Sequence, residues 1–574
     1  MRKEQFIRIS DIVLFFLALV NCILFTLDYG FYFSSDTRFL IHHIGYMTMI
    51  LFFVDNIISL FYYKKPLREF LHRKTPYLII LFILIQFVLI KYQVYSLAFM
   101  YIGDPHGYVI ITQIYIFYML FQKISKVNYF FIPIMNIGPL QMFVLSFAGI
   151  ILIGALLLMM PRSTVTEGSM SFIDALFTST SAVCVTGLTV VDTATQFTIM
   201  GKSIIMVLFQ IGGLGLMTFT SFFSLFFLRK MTIREQFMMS EVLSYDSIGD
   251  VSALIRSIIT LTFTIEFLGA ALLFIRWKST FTSTFDAVYH SVFHAISAFC
   301  NAGFSTFTTS LEQFKGDIIV NTVISVLIIL GGLGFVVLAD MFQPKVKGHN
   351  RLWSLQSKLV LSVSAILIAL GTVIIFASEY SHSLASLSLS EKIMTSLFQS
   401  ITTRTAGFNT LPIGLLSYPV LMSMIVLMFI GASPGSTGGG IKTTSAGLLY
   451  SAVITSLKRR STVVVFNRTV PFQLINRAFA IVAVSVVYLT MMFIILLAVE
   501  PSRPIQLLFE LVSAFGTVGL STGITSSLMP LSKTVIIITM FIGRLGPVTL
   551  ALALSKGRRE PSIRYPEENA VMVG

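Results

Sequence analysis

Charged residues are scarce in this 574-residue sequence. They make up 11% of the chain, whereas about a quarter of an ordinary soluble domain is charged. Hydrophobic residues account for 55%, and apolar runs of about 20 residues, each long enough to cross the hydrocarbon core of a bilayer, recur along the chain. These features exclude a water-soluble fold and predict an all-α polytopic membrane protein.

Cysteine is also rare. The three cysteines, Cys22, Cys184 and Cys300, lie within or beside apolar segments, which excludes a disulfide framework and a CxxC metal site. The formal net charge of +14 does not indicate a nucleic-acid partner, because the basic residues form short clusters between apolar runs. The positive-inside rule explains that placement, so the lipid bilayer is the expected surrounding and no nucleic acid is expected.

The basic clusters also predict the topology. Apolar spans near 10–32, 38–62, 76–98 and 107–124 form four helices, and Lys and Arg follow the second and fourth of them. The same alternation continues to the end of the chain. It predicts a multi-pass protein of the inner (cytoplasmic) cell membrane with both termini in the cytoplasm.

From about residue 137 the pattern changes, because long spans alternate with Ser/Thr/Gly-rich segments too short and polar to cross a bilayer. The long helices are expected near 137–160, 200–228, 253–275, 318–340, 358–378, 416–456, 478–499 and 532–555. Three polar segments share the pattern Phe-x-x-x-Ser-Ala-x-x-x-x-Gly, and a fourth is a copy one residue shorter. Their glycines, at near-regular spacing, are Gly187, Gly303, Gly407 and Gly519.

Each polar segment predicts a short helix that enters from outside and turns back at its glycine. Such a turn presents backbone carbonyls that can replace the hydration shell of a cation. Non-helical backbone at membrane depth is tolerated where it lines a water-filled path, which favours a pore. Loops that merely permit close helix packing are the alternative.

Four helix–pore loop–helix repeats around a central pore are therefore expected, preceded by four extra transmembrane helices. The boundaries are 1–136 for the N-terminal membrane region, 137–252 for repeat one, 253–354 for repeat two, 355–470 for repeat three with its intramembrane loop, and 471–574 for repeat four and the C-terminal tail. The predicted potassium-binding filter consists of backbone carbonyls of Val185, Thr186, Gly187, Leu188, Asn301, Ala302, Gly303, Phe304, Thr405, Ala406, Gly407, Phe408, Thr517, Val518, Gly519 and Leu520.

At these motifs the chain resembles the Trk/Ktr/HKT superfamily of potassium transporters over roughly 137–556. Members of that superfamily use four such units in one chain, with one filter glycine per unit. The resemblance implies a bacterial Trk/Ktr-type membrane subunit that takes up potassium. In the family, a serine at the first filter position accompanies sodium permeability, and Gly187 stands there in this sequence.

Two elements resemble the family's conduction control. Pro434 and the surrounding glycines cannot sustain a helix, so the third repeat should break within 431–442, like the family's gating loop. Arg544 replaces the second glycine of a Gly-Gly-Leu-Gly motif that recurs in the inner helices, and the resemblance implies an electrostatic barrier below the filter. A kinked helix without a gating role and a salt bridge to Glu266 are the alternatives. The predicted gating residues are Gly431, Pro434, Gly435, Gly438, Gly439, Gly440, Lys442 and Arg544.

Two other functions remain open at this point. One is a sodium-permeable or sodium-coupled cation transporter, and the residues do not separate channel-like flux from proton or sodium coupling. The remote one is an intramembrane serine hydrolase, because Gly431-Ala-Ser433-Pro-Gly435 matches G-x-S-x-G. That motif lacks its strand–turn–helix context, so no enzyme is expected.

The expected ligands are potassium ions at the filter, with no cofactor in this chain. The resemblance implies a homodimer and cytoplasmic nucleotide-binding regulatory subunits, which would carry ATP/ADP or NAD. The basic segments 229–252, 341–358 and 457–477 are the expected docking regions.

Overall fold

The computed structural model describes residues 2–61, 139–166, 168, 170–215, 251–342, 353–500 and 503–554. Within these ranges the chain is helical apart from loops, short turns and one hairpin, Val464–Val465 with Arg468–Thr469. Among the described residues, five helices are long and apolar enough to span a membrane, or six if a bent pair is counted as one span. The all-α polytopic membrane fold is confirmed.

Two N-terminal helices, Arg2–Gly30 and Ser35–Phe61, pack against each other. The Arg162 guanidinium lies 4.6 Å from the centre of the Tyr32 ring and joins this pair to the first repeat. The third and fourth predicted N-terminal helices lie outside the described residues.

Four units follow, each with an outer helix, a pore helix and an inner helix. The outer helices are Pro139–Leu158, Val251–Trp277, Leu355–Glu379 and Phe472–Val499. The pore helices are Phe172–Val183, Thr284–Cys300, Leu389–Thr402 and Pro504–Gly516. The inner helices are Ile199–Leu214, Ile318–Leu333, Tyr418–Phe429 and Pro530–Leu545.

The four units close into a ring. Each inner helix packs against the pore helix of the next unit, and the fourth inner helix packs against the first pore helix. An ion pair strengthens this last contact, because the Lys533 ammonium lies 2.7 Å from the Asp174 carboxylate. Ser171 caps the start of the first pore helix, and its hydroxyl accepts from the Asp174 backbone N–H at 3.2 Å.

The inner helices are shorter than the sequence predicts. The second was expected to run to about 340, but it breaks at Gly334 and resumes as Phe335–Phe342 at an angle of 106°. The fourth, expected to about 555, breaks at Gly546 and resumes as Pro547–Leu554. Both glycines have positive φ, 94° and 86°, which ends a helix at little steric cost.

The third inner helix contains the predicted interruption. It stops at Phe429 and resumes as Thr443–Leu457, and the intervening residues form an irregular loop. The two ends of this loop meet at a bridge between Ile430 and Ile441. The predicted interruption of this helix is present, and its place in the bilayer and its gating role stay predictions.

Candidate functional site

The four predicted filter glycines meet in one ring. A Cβ atom placed on Gly187 would lie 2.5 Å from the Ala302 carbonyl oxygen, and one on Gly303 would lie 2.8 Å from that of Ala406. A Cβ on Gly407 would lie 2.5 Å from the Val518 oxygen. One on Gly519 would meet the Thr186 oxygen of the first filter loop, which closes the ring. Each glycine therefore faces the carbonyl that precedes the next glycine, and a Cβ atom at any of the four positions would clash with that backbone oxygen.

The ends of the pore helices shape these loops. In repeats one, two and four, the residue two before the glycine is left-handed: Val185 has φ 57°, Asn301 58° and Thr517 49°. The next N–H returns to the carbonyl of the motif serine, as Thr186 does to Ser181 at 2.7 Å. The Val185 N–H donates to the Ala182 carbonyl at 3.0 Å, and these two bonds together form the Schellman helix end.

The shorter third copy uses a simpler helix end. Thr405 is left-handed at φ 76°, and the Ala406 N–H returns to the Thr402 carbonyl at 3.0 Å. This single bond spans five residues, one fewer than the longer bond of the Schellman end. The shorter helix end compensates for the residue that is missing from the motif, so Gly407 still lies in the ring. Val185, Thr405 and Thr517 are β-branched residues in the left-handed region, which costs roughly 1–2 kcal/mol each. Strain of this kind concentrates at functional sites.

The motif serines, and Thr402 at the same position of repeat three, brace the filter loops from behind, a role that the sequence did not reveal. In repeats one and four the hydroxyl accepts from the glycine N–H, whereas in repeats two and three it donates to the carbonyl after the glycine. The four bonds are Gly187 N to Ser181 Oγ at 3.0 Å, Gly519 N to Ser513 Oγ at 3.1 Å, Ser297 Oγ to Phe304 O at 2.8 Å and Thr402 Oγ1 to Phe408 O at 2.6 Å.

Glu510, in the fourth pore helix, is a further residue that the sequence did not single out. Its buried carboxylate accepts hydrogen bonds from the Ser521 hydroxyl, the Thr522 N–H and the Thr525 hydroxyl, each at 2.8 Å. These bonds hold the segment that follows Gly519. This position, directly after the motif phenylalanine, is not part of the shared motif, because the other repeats carry Thr178, His294 and Gln399 there.

A polar cavity of about 290 Å³ opens above the ring, on the side expected to be extracellular. All four filter glycines line it, together with several hydroxyls and the acids Asp192 and Glu312. Partial burial raises the pKa of Glu312, while the Asn409 amide that donates to it at 2.7 Å opposes that rise. The cavity has room for a hydrated cation next to the carbonyl ring.

The loop 431–442 lies beneath the ring on the opposite side. It touches the fourth filter loop and the broken ends of the second and fourth inner helices, so it connects three units. The bonds are Gly439 N to Thr517 Oγ1 at 2.8 Å, Ser433 N to Gly332 O at 3.1 Å, Phe335 N to Gly435 O at 2.9 Å and Gly440 N to Gly543 O at 3.4 Å.

Two cationic side chains hold carbonyls of this loop. Arg544 donates to the carbonyls of Thr437 and of Gly212, at the end of the first inner helix. The Lys442 ammonium donates to the Gly438 carbonyl at 2.8 Å. Arg544 makes no ion pair among the described residues.

Glu266, the alternative partner of Arg544, is engaged elsewhere. Its carboxylate accepts from the Gln210 amide at 3.1 and 3.2 Å. The Cys300 thiol donates to the oxygen of the same amide at 3.2 Å. The carboxylate therefore belongs to a buried polar cluster between repeats one and two.

Ser433 has no catalytic surroundings. Its buried hydroxyl accepts from the Thr443 hydroxyl at 3.1 Å, and no histidine contacts it in the described part of the chain. His294 binds the Ser305 hydroxyl at 3.0 Å through Nε2 and the His290 carbonyl at 2.8 Å through Nδ1. A nucleophilic serine requires a neighbouring base, which this arrangement does not provide.

Comparison with known proteins gives consistent results. A family model described as "TrkH: Cation transport protein" matches residues 110–563. The Ktr system potassium uptake protein B of Bacillus subtilis is 40% identical over 75% of this chain and 95% of its own length. The potassium/sodium uptake protein NtpJ of Enterococcus hirae is 35% identical over 76% of this chain and 98% of its own length.

A solved structure has the same fold. The potassium transporter TrkH from Vibrio parahaemolyticus superposes with a TM-score of 0.61 and covers 84% of this chain and 97% of its own. The sequence identity is 18%, so this likeness bears on the fold alone.

Proposed function

This chain belongs to the TrkH family of cation transport proteins, and we propose that it takes up potassium across the cytoplasmic membrane through the ring formed by its four filter loops. The main support for this proposal is the closed ring of filter glycines, in which each glycine adjoins the carbonyl oxygen that precedes the next glycine. A ring of carbonyl dipoles replaces the hydration shell of a cation. The relatives are named as transporters, which agrees with a transport function rather than an enzymatic one.

Potassium is the proposed substrate. The Ktr relatives from Bacillus subtilis and Vibrio alginolyticus, 40% and 38% identical, are named for potassium uptake. Gly187 adds support, since the resemblance links a serine at this position with sodium permeability. A sodium-permeable transporter is the second candidate, because the 35% identical NtpJ is named for potassium and sodium.

The loop 431–442 and Arg544 are the proposed control of conduction. The guanidinium holds carbonyls of the loop and of the first inner helix, which supports a position in the ion path below the ring. Two unit charges about 6 Å apart repel by roughly 3 kcal/mol at an effective dielectric near 20. Displacement of the loop together with Arg544 would remove both the steric and the electrostatic obstacle.

A homodimer with cytoplasmic nucleotide-binding subunits is the proposed assembly, with ATP/ADP or NAD on those subunits. Of the expected docking regions, the structure describes 457–477 completely. Lys458, Arg459 and Arg460 are exposed there, next to a hairpin whose Val464 and Phe466 are also exposed. An exposed basic and apolar hairpin is a suitable surface for a soluble partner.

Rubidium uptake by the purified protein in liposomes tests the transport function. We expect uptake driven by a potassium gradient with neither sodium nor a pH gradient present, and competition by potassium stronger than by sodium. A strict sodium requirement would support the second candidate. No cation flux from correctly folded protein would refute both.

Co-purification tests the assembly, with the protein expressed beside its neighbouring reading frames. We expect a nucleotide-binding subunit to co-purify, and the double change Lys458→Glu with Arg460→Glu to release it. Arg503→Glu is the matched control, because this exposed arginine precedes the fourth pore helix on the opposite side. Recovery of no such subunit with the wild type would refute the proposal.

A further inference from the structure

Arg404 is a buried cation that the transport site does not use. It follows the third pore helix, and its backbone N–H donates to the Ile401 carbonyl at 3.1 Å. The residue is 9% exposed, and its Nε has no hydrogen-bond partner among the described residues. Burial of a charge is costly unless the charge is paired and hydrogen-bonded. The buried Nε group of the guanidinium therefore needs an acceptor that the described part of the chain does not supply.

The side chain lines a small cavity between repeats two and three. Ile328 of the second inner helix, Ile368 of the third outer helix and Ile401 of the third pore helix form aliphatic walls. The cavity measures about 20 Å³, which is room for one water-sized species. The space is too small for a phosphate group or a lipid headgroup.

A second unsatisfied group lines the same cavity. The Ser364 hydroxyl of the third outer helix is 4% exposed and has no hydrogen-bond partner within the described ranges. A hydroxyl can donate to an anion, and a guanidinium can only donate. Two unpartnered donor groups in one apolar cavity indicate a bound anion.

We propose that this cavity holds a monatomic anion of the halide class, with chloride as the physiological occupant, between the guanidinium of Arg404 and the hydroxyl of Ser364. The anion neutralises the buried charge, which a water molecule cannot do. The negative end of the third pore helix offsets the charge only in part, since a helix end carries about half an elementary charge.

The site has a consequence that rests on the proposed function. Arg404 lies three residues before Gly407 of the filter ring. An uncompensated cation there would repel potassium, whereas a neutralised one leaves the carbonyl ring as the dominant local field.

Thermal unfolding of the purified full chain tests the site without any transport assay. The midpoint is compared in potassium gluconate and in potassium bromide at equal potassium concentration. We expect bromide to raise the wild-type Tm in a saturable manner, Arg404→Gln to abolish this shift and Ser364→Ala to weaken it. Arg477→Gln, an exposed arginine of the fourth outer helix, is the matched control and should keep the full shift.

Crystals grown in bromide give an independent readout that does not depend on the variants folding. We expect an anomalous bromide peak in the cavity beside Arg404. A cavity occupied only by water, or a wild-type Tm that is the same in gluconate and bromide, would overturn the proposal even if the protein transports potassium. Loss of transport with an intact bromide shift would instead refute the proposed function alone.

Discussion

The bond between Thr517 and Gly439 gives a sharp test of the proposed control of conduction. The Thr517 hydroxyl, in the fourth filter loop, accepts from the Gly439 N–H at 2.8 Å. Both residues are buried, so the bond is shielded from water. If the loop 431–442 moves during conduction, this bond forms when the loop is closed and breaks when it opens.

Thr517→Val removes the acceptor and keeps a β-branched side chain of nearly the same shape. The Gly439 N–H then lacks a partner in the closed state, which costs about 1–3 kcal/mol, whereas water can satisfy it in the open state. A bias of that size shifts the population toward the open loop by about 5- to 150-fold. Flux should rise until the loop is mostly open, while potassium selectivity should stay because the ring keeps its glycines.

Rubidium efflux from liposomes measures this change at matched protein density. Thr517→Ser is the matched control, because it keeps the hydroxyl and should behave like the wild type. Selectivity is measured in parallel from competition by sodium. Flux through Thr517→Val equal to that of Thr517→Ser, in protein of normal oligomeric state, would refute the view that this bond restrains the loop.

Three further predictions concern the ring and its supports. Gly303→Ser should reduce potassium selectivity over sodium, because its Cβ would lie 2.8 Å from the Ala406 oxygen, and unchanged selectivity in all four glycine-to-serine variants would contradict the filter. Arg544→Ala should raise maximal potassium flux, measured as initial rubidium uptake, and flux at or below wild type would favour a purely structural role for Arg544. Lys533→Met should lower the thermal stability by about 1–3 kcal/mol, because it removes the ion-pair partner of Asp174 and leaves only the Ser171 hydroxyl, at 2.8 Å, on that carboxylate. Asp174→Asn should then add little in a double-mutant cycle.

Much of the fold follows from local sequence patterns. The scarcity of charge and the length of the apolar runs predicted a helical membrane protein, because backbone N–H and C=O groups in lipid must form their hydrogen bonds within the protein. The repeated Phe-x-x-x-Ser-Ala motif located the four pore helices, and Pro434 with its neighbouring glycines predicted the break in the third inner helix. The roles of the predicted filter and gating residues, the domain boundaries, the nucleotide partner and the dimer stay predictions.

Other features depend on contacts between distant parts of the chain. The break at Gly334 was missed, because a glycine within an apolar run is tolerated in a membrane helix. Contacts with the loop of repeat three stabilise this break. The Phe335 N–H donates to the Gly435 carbonyl, and a Cβ on Gly334 would lie 2.5 Å from the Pro434 oxygen. The role of Glu510 was also missed, because the other repeats carry Thr178, His294 and Gln399 at this position and so share no motif residue there.

The sequence alone predicts four glycine loops that enter a membrane between paired helices, because hydrophobic length and local breaks are properties of short segments. The tertiary structure alone decided that Gly519 meets Thr186 and so closes the ring, and that Arg544 holds the carbonyls of Thr437 and Gly212 rather than the carboxylate of Glu266. Those contacts join residues far apart in the chain, and only the packing of each inner helix against the next pore helix brings them together.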